Sequence, residues 1–233
     1  MIPWSHLDTA KIPDGGELRL MRRGSEFSIM LGPVELMNSR VTGSEEALAK
    51  LACLRMPDRQ RPEILIGGLG MGFTLRVTLA EFGPYARIIV AELVPAVVGW
   101  ARGHMAEIFG ASLDDPRVSI READVRSLIA SSQSTYDAIL LDVDNGPQGL
   151  TRKGNDRLYD FRGLGAARRA LRPGGVLGIW SSGPDRNFSE RLRETGLSVD
   201  EVGVRAKGAR GGRHVVWIAT NPDVDHARQS RKR

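Results

Sequence analysis

A chain of 233 residues with 41% hydrophobic content can fill one substantial core with a small appendage, and no stretch approaches the roughly 18 to 20 consecutive apolar residues that cross a bilayer. The N-terminus, Met1-Ile2-Pro3-Trp4-Ser5-His6, lacks a basic region followed by an apolar one, and the single cysteine, Cys53, excludes an internal disulfide, so a soluble, cytoplasmic protein is expected. Of the formal +5 charge, Arg228, Arg231, Lys232 and Arg233 supply +4, which leaves a near-neutral body and argues for a basic disordered tail over 222–233 rather than a nucleic-acid partner.

Short, partly alternating runs at 17–22, 26–30 and 34–37, split by Gly24 and by Gly32-Pro33, predict a small antiparallel meander. Ser44 then precedes Glu45, Glu46 and an apolar series at Leu48, Leu51, Ala52 and Met56, as expected of a helix capped by Ser44 with acids in its first turn. Residues 1–60 are thus expected to form a separate lid or dimerisation element, which makes a homodimer the expected assembly. From Glu63 onward strands and helices alternate, the pattern of a parallel sheet covered on both faces: a strand over 63–67, a helix over 72–82 and a second strand over 87–92. Pro95 opens a helix whose Val94, Val97, Val98, Ala101, Met105 and Ile108 share one face. A third strand runs over 118–120 and a fourth over 138–141. A helix through Leu158, Phe161 and Leu164 to Leu171 stops at Arg172-Pro173-Gly174-Gly175 before a fifth strand, 176–180. The segments 197–204 and 215–219, joined by a glycine-rich connection, read as a hairpin. The expected fold is an α/β Rossmann-like sheet of seven strands, five parallel plus a C-terminal antiparallel hairpin, over 61–221.

In such sheets ligands bind beyond the carboxyl ends of the strands. Four polar features fall there: Gly68-Leu69-Gly70-Met71-Gly72 after the first strand, Glu92 after the second, Asp124 after the third and Asp142 after the fourth. Glycines let backbone take positive φ and lie against a ligand. Glu92, 20 residues beyond Gly72, stands where a carboxylate accepts hydrogen bonds from both ribose hydroxyls. The spacing also selects among cofactors. Phe73 occupies the position where a dinucleotide fingerprint needs glycine or alanine, and no Gly-Lys-Ser or Gly-Lys-Thr follows to make a P-loop, so an adenosyl ligand without phosphates remains.

Residues 63–182 resemble the spermidine synthase family, aminopropyltransferases on the fold of S-adenosylmethionine-dependent methyltransferases. The resemblance is carried by 64–76, by Ala91-Glu92-Leu93-Val94-Pro95, Asp115-Pro116-Arg117-Val118 and Ala123-Asp124, by Tyr136-Asp137-Ala138-Ile139-Leu140-Leu141-Asp142, and by Leu171-Arg172-Pro173-Gly174-Gly175. It implies a co-substrate, S-adenosylmethionine or its decarboxylated form. Gly68, Leu69, Gly70, Met71 and Gly72 would pack beneath it, Glu92 with Leu93 would hold the ribose, and Asp124 with Val125 would contact the adenine. It also implies alkylation of a small amine with Asp142 as the base that takes the amine's proton, Asp144 standing second.

The sequence departs from that family in two places. Members usually carry an aspartate within the glycine loop, where this chain has Gly70 or Met71, and they carry two serines between two aspartates after the fourth strand, where this chain reads Asp142-Val143-Asp144-Asn145-Gly146-Pro147. Loss of the loop carboxylate predicts weaker binding of a dicationic polyamine and keeps open a methyltransferase acting on another acceptor, or a nucleoside-binding interaction protein without catalysis. Asp124 is equally placed to cap the helix that follows it, and Asp142 to form a loop turn. Trp180, beside Ser181-Ser182, stands where it lines a core or a substrate mouth. His104 and His214 have no second ligand at a metal-binding spacing, so no metal is expected.

Overall fold

The computed structural model describes residues 2–13, 15–143, 156–207 and 210–223. Four antiparallel strands, β1 (Ser5–Lys11), β2 (Glu17–Arg23), β3 (Glu26–Leu31) and β4 (Val34–Asn38), pair in chain order. Strand alternation turns Leu18, Leu20, Phe27 and Ile29 to one buried face. The first strand was not expected, because Ser-His-Leu-Asp-Thr-Ala-Lys has little apolar alternation; its pairing with β2 places it. Helix α1 (Gly43–Arg55) follows, and here one expectation is corrected. The N-cap is Thr42, without a side-chain capping bond, and Ser44 lies within the first turn, its hydroxyl donating to Glu45 at 2.7 Å. Although close in sequence to the small sheet, α1 packs on the large one: Leu48 is fully buried above Gly178, where a Cβ would come within 2.9 Å of Leu48 Cδ1.

The large sheet begins at β5 (Glu63–Gly67), followed by α2 (Phe73–Glu81), β6 (Arg87–Glu92) and α3 (Pro95–Arg102). The expected single helix to Ile108 breaks at Gly103, whose backbone (φ −109°, ψ −98°) is not helical, and resumes as α4 (Ala106–Phe109). Then come β7 (Val118–Glu122), α5 (Val125–Ala130) and β8 (Tyr136–Leu141). Helices α6 (Asp156–Tyr159) and α7 (Phe161–Ala170) replace the single helix expected there, with Asp160 capping the second. Strand β9 (Leu171–Ser181) absorbs Arg172-Pro173-Gly174-Gly175 as a bulge: Tyr136 pairs with Leu171 but Ala138 with Val176. An unanticipated helix, α8 (Arg186–Glu194), precedes the hairpin of β10 (Ser198–Lys207) and β11 (Arg210–Thr220).

The strand order is β10-β11-β9-β8-β5-β6-β7. β5, β6, β7, β8 and β9 pair in parallel, and β11 runs antiparallel to both β9 and β10. This is an α/β protein with a mixed seven-stranded sheet and a separate four-stranded one. Ile64, Leu65, Ile66 and all of Ala138–Leu141 are buried, as near-continuous apolar strands covered on both faces must be. No helix among the described residues is long and apolar enough to cross a membrane.

Candidate active site

The carboxyl ends of β5, β6, β7 and β8 converge on one cavity, walled by Gly68, Gly70, Glu92, Leu93, Asp124, Val125, Asp142 and Val143 and roofed by Ile12, Leu18, Leu31, Leu36 and Met37 from the small sheet and its turns. Sheet topology explains the convergence. β5 lies between β6 and β8, and crossovers run to opposite sides from it, which opens a crevice at that edge.

Glu92 ends β6 and is 8% exposed. One carboxylate oxygen accepts the Leu69 N–H and the other the Val94 N–H, both at 2.9 Å. These bonds, one to each oxygen, fix the plane of the carboxylate at the cavity wall. The Gly68 N–H donates to Ala91 O at 2.9 Å, a second tie between the glycine loop and the end of β6. Gly68 (φ +90°) needs its freedom: a Cβ there would stand 2.5 Å from Asp142 O. Gly70 (φ +52°) faces Met37 Sδ of the small sheet, and Gly72 (φ +76°) makes room for the Phe109 ring. Leu69 and Met71 are 5% and 4% exposed and belong to the apolar core, so of the five loop residues only Gly68 and Gly70 wall the cavity.

Asp124 caps α5, accepting the Arg126 N–H at 2.8 Å, and pairs with the Arg126 guanidinium at 3.1 Å, while it also lines the cavity. Both sequence readings of this residue are therefore geometrically compatible. Val125 is buried, its methyls filling the space beside Gly67.

Asp142 extends β8 by one residue, its N–H donating to Gly67 O at 3.0 Å. Its carboxylate accepts the hydroxyl of buried Thr74 at 2.7 Å. Burial first, and then the negative charge of Glu45, push its pKa up to about 7, against the opposing pull of the Thr74 hydrogen bond. Glu45 and Thr74 were not singled out as site residues. Their only sequence signal is position, in the first turns of α1 and α2. Asp144 lies outside the described residues.

The free volume of the cavity is about 100 Å³, below the roughly 300 Å³ at the low end of small-molecule sites. A ligand of nucleoside size would therefore fit only if side chains lining the cavity gave way. No cluster of three or more metal-ligating side chains occurs among the described residues.

No family model matches the chain. The polyamine aminopropyltransferase of Korarchaeum cryptofilum is 32% identical over 125 residues, 53% of this chain and 37% of that protein. That of Mycobacterium tuberculosis is 28% identical over 172 residues, 72% of this chain and 31% of that protein. The matched stretches thus span about a third of the length of these curated relatives. Among solved structures, spermidine synthase from Thermotoga maritima superposes with a TM-score of 0.75 at 18% identity, covering 94% of this chain and 73% of that one. A spermidine synthase in complex with the transition-state analogue AdoDATO gives 0.74 at 17%, with 94% and 73% covered. Human methyltransferase-like protein 13 in complex with SAH gives 0.55 at 20%, with 75% and 80% covered. The resemblance read from the sequence is borne out in relatives and in fold.

Proposed function

We propose that this chain is a transferase of the spermidine synthase type, which binds S-adenosylmethionine or its decarboxylated form and moves an alkyl group, aminopropyl or methyl, from sulfur to the nitrogen of a small amine. One observation carries the reading: Gly68, Glu92, Asp124 and Asp142, each at the end of a different strand, wall a single cavity in a chain whose relatives are polyamine aminopropyltransferases.

The sulfonium supplies an activated carbon; the protein's tasks are to hold, orient and deprotonate. Glu92, fixed by the Leu69 and Val94 amides, is set to accept the ribose hydroxyls, with Leu93 beside it. Asp124 and Val125 stand where an adenine edge would rest, and Gly68 lets the backbone approach the sugar. The amine must be neutral to attack. As nitrogen bonds to carbon, the carbon–sulfur bond breaks, its electron pair stays on sulfur, and the nitrogen's proton passes to Asp142. A base whose pKa lies near 7 is matched to that transfer at neutral pH. Alignment of nitrogen, carbon and sulfur supplies a further share of the acceleration.

Methyl rather than aminopropyl transfer is favoured by one observation: the glycine loop offers no carboxylate for an aminopropyl ammonium, since Gly70 meets Met37 and Met71 is buried. Titration of the purified protein with both nucleosides and with methylthioadenosine tests the core of the proposal; binding of none of them refutes it. Mass spectrometry of the products then separates a methyl from an aminopropyl adduct.

A further inference from the structure

The carboxyl edge of the sheet continues past Asp142 to residues that the proposed chemistry does not use. Leu141 of β8 pairs with Ile179 of β9, so Asp142 and Trp180, one position further along each strand, stand side by side. Trp180 pairs with Val216 of β11, and His214 lies two residues from Val216, on the same face. That face is the one α1 covers, because Gly178, two residues before Trp180, lies under Leu48. It is also the face from which Thr74 reaches Asp142 and, at 3.5 Å, the carbonyl of Glu45.

The Trp180 and His214 rings stack, with centroids 5.1 Å apart and planes tilted by 32°. Trp180 Nε1 and His214 Nδ1 are both buried and have no hydrogen-bond partner among the described residues. Buried polar atoms are otherwise almost always satisfied, so two adjacent exceptions one strand over from Asp142, just beyond the residues that line the cavity, point to a missing ligand group. Its chemistry follows from the donors. An indole N–H only donates, so the group must offer a lone pair, which a charged ammonium lacks. The glycine loop, meanwhile, provides no carboxylate for a second ammonium, whereas Asp142 with Glu45 provides acidic surroundings for one.

We infer that the acceptor is an amine that also bears an oxygen acceptor, an amino alcohol or an amino acid, with its ammonium at Asp142 and Glu45 and its oxygen at the Trp180–His214 pair. This rests on the transferase reading above and narrows its substrate class away from plain diamines.

The test is calorimetric titration of the protein, saturated with methylthioadenosine, by three chains of equal length: 1,4-diaminobutane, 4-amino-1-butanol and 4-aminobutanoate. At least one oxygen-bearing amine is expected to bind tenfold or more tighter than the diamine, and which one does so distinguishes hydroxyl from carboxylate. Trp180→Phe, which keeps a ring and removes the N–H, is expected to erase most of that margin, and His214→Phe serves as the second variant should the first not fold. Tightest binding of the diamine, or a margin unchanged in a folded variant, overturns the inference. If neither S-adenosylmethionine, its decarboxylated form nor methylthioadenosine binds, the transferase reading falls and the inference with it; if one of them binds and the diamine is preferred in its presence, only the inference falls.

Discussion

At Asp142, burial and the Glu45 charge hold the proton on while the Thr74 hydroxyl pulls the other way, and the first two win. The consequence for stability has a definite sign. Between the ordinary carboxylate value of 3.8 and about 7 the folded chain holds a proton that the unfolded chain has released, so stability falls as pH rises through that window and levels off above it. The effect is on the order of 4 kcal/mol at most. Asp142→Asn, which keeps the shape and removes the titration, is expected to flatten this slope and to be more stable than the parent at pH 8; urea midpoints from pH 5 to 8 measure it. The same variant should lose roughly 10²- to 10⁴-fold in turnover, the usual contribution of a general base, while the parent's turnover should rise with pH through about 7. Sequence alone placed Asp142 at a strand end. It did not reveal the proton affinity, which depends on a helix nearly a hundred positions earlier. Gly72 shows the same limit from the other side: it looks like part of a ligand floor, yet its missing side chain makes room for Phe109. Gly72→Ala is expected to destabilise by about 1 to 3 kcal/mol from its left-handed backbone and the ring overlap. Adding Phe109→Leu should recover the overlap part only, which a double-mutant cycle in denaturant resolves.

Among the elements, the parallel strands were legible because burial on both faces imposes unbroken apolar runs with abrupt polar ends; β5 and β6 fall at the predicted residues. The elements that were missed lack such a signal. β1 exists through pairing with β2, and α8 has a charged sequence in which only Phe188, Ser189 and Leu192 turn inward, introduced by Asp185 accepting the Phe188 N–H. Helix ends were legible where a side chain capped them, as at Asp124, and misread at Ser44, where the backbone turns two residues earlier. One end is closed from a distance. The Arg117 guanidinium donates to the carbonyls of Leu79 in the last turn of α2 and of Phe82 and Gly83 just beyond it, at 3.0, 2.8 and 3.3 Å, while Asp115 holds it in place at 2.9 Å. Charged donors at helix C-termini offset both the orphan carbonyls and the helix dipole. Arg117→Met, which keeps much of the stem, should therefore lower stability by about 2 kcal/mol, read as a shift in the denaturant midpoint with unchanged slope.

For the whole molecule, the seven-stranded architecture followed from the alternation of strands and helices and from the final hairpin, but the relation between the two sheets did not. It is set by contacts remote in sequence, such as the Trp100 indole donating to Asp8 of β1 at 2.6 Å. The strands β1 and β4 are the edges of the four-stranded sheet, each paired on one side only among the described residues. Such edges need cover, and we propose that a second copy of this chain supplies it, as a homodimer. Sedimentation equilibrium is expected to give twice the 25.5 kDa of the chain; a concentration-independent value of 25.5 kDa would refute it.

Because Ile12, Leu18, Leu31, Leu36 and Met37 close over the same space that Glu92 and Asp142 frame, the pocket's ceiling and floor come from different sheets. Whatever fills that space adheres to both, so occupancy and docking of the two halves are thermodynamically linked. Deuterium uptake along 17–38, the strands that roof the pocket, should slow when a thionucleoside is added; unchanged uptake would break the link between ligation and the docking of the two sheets.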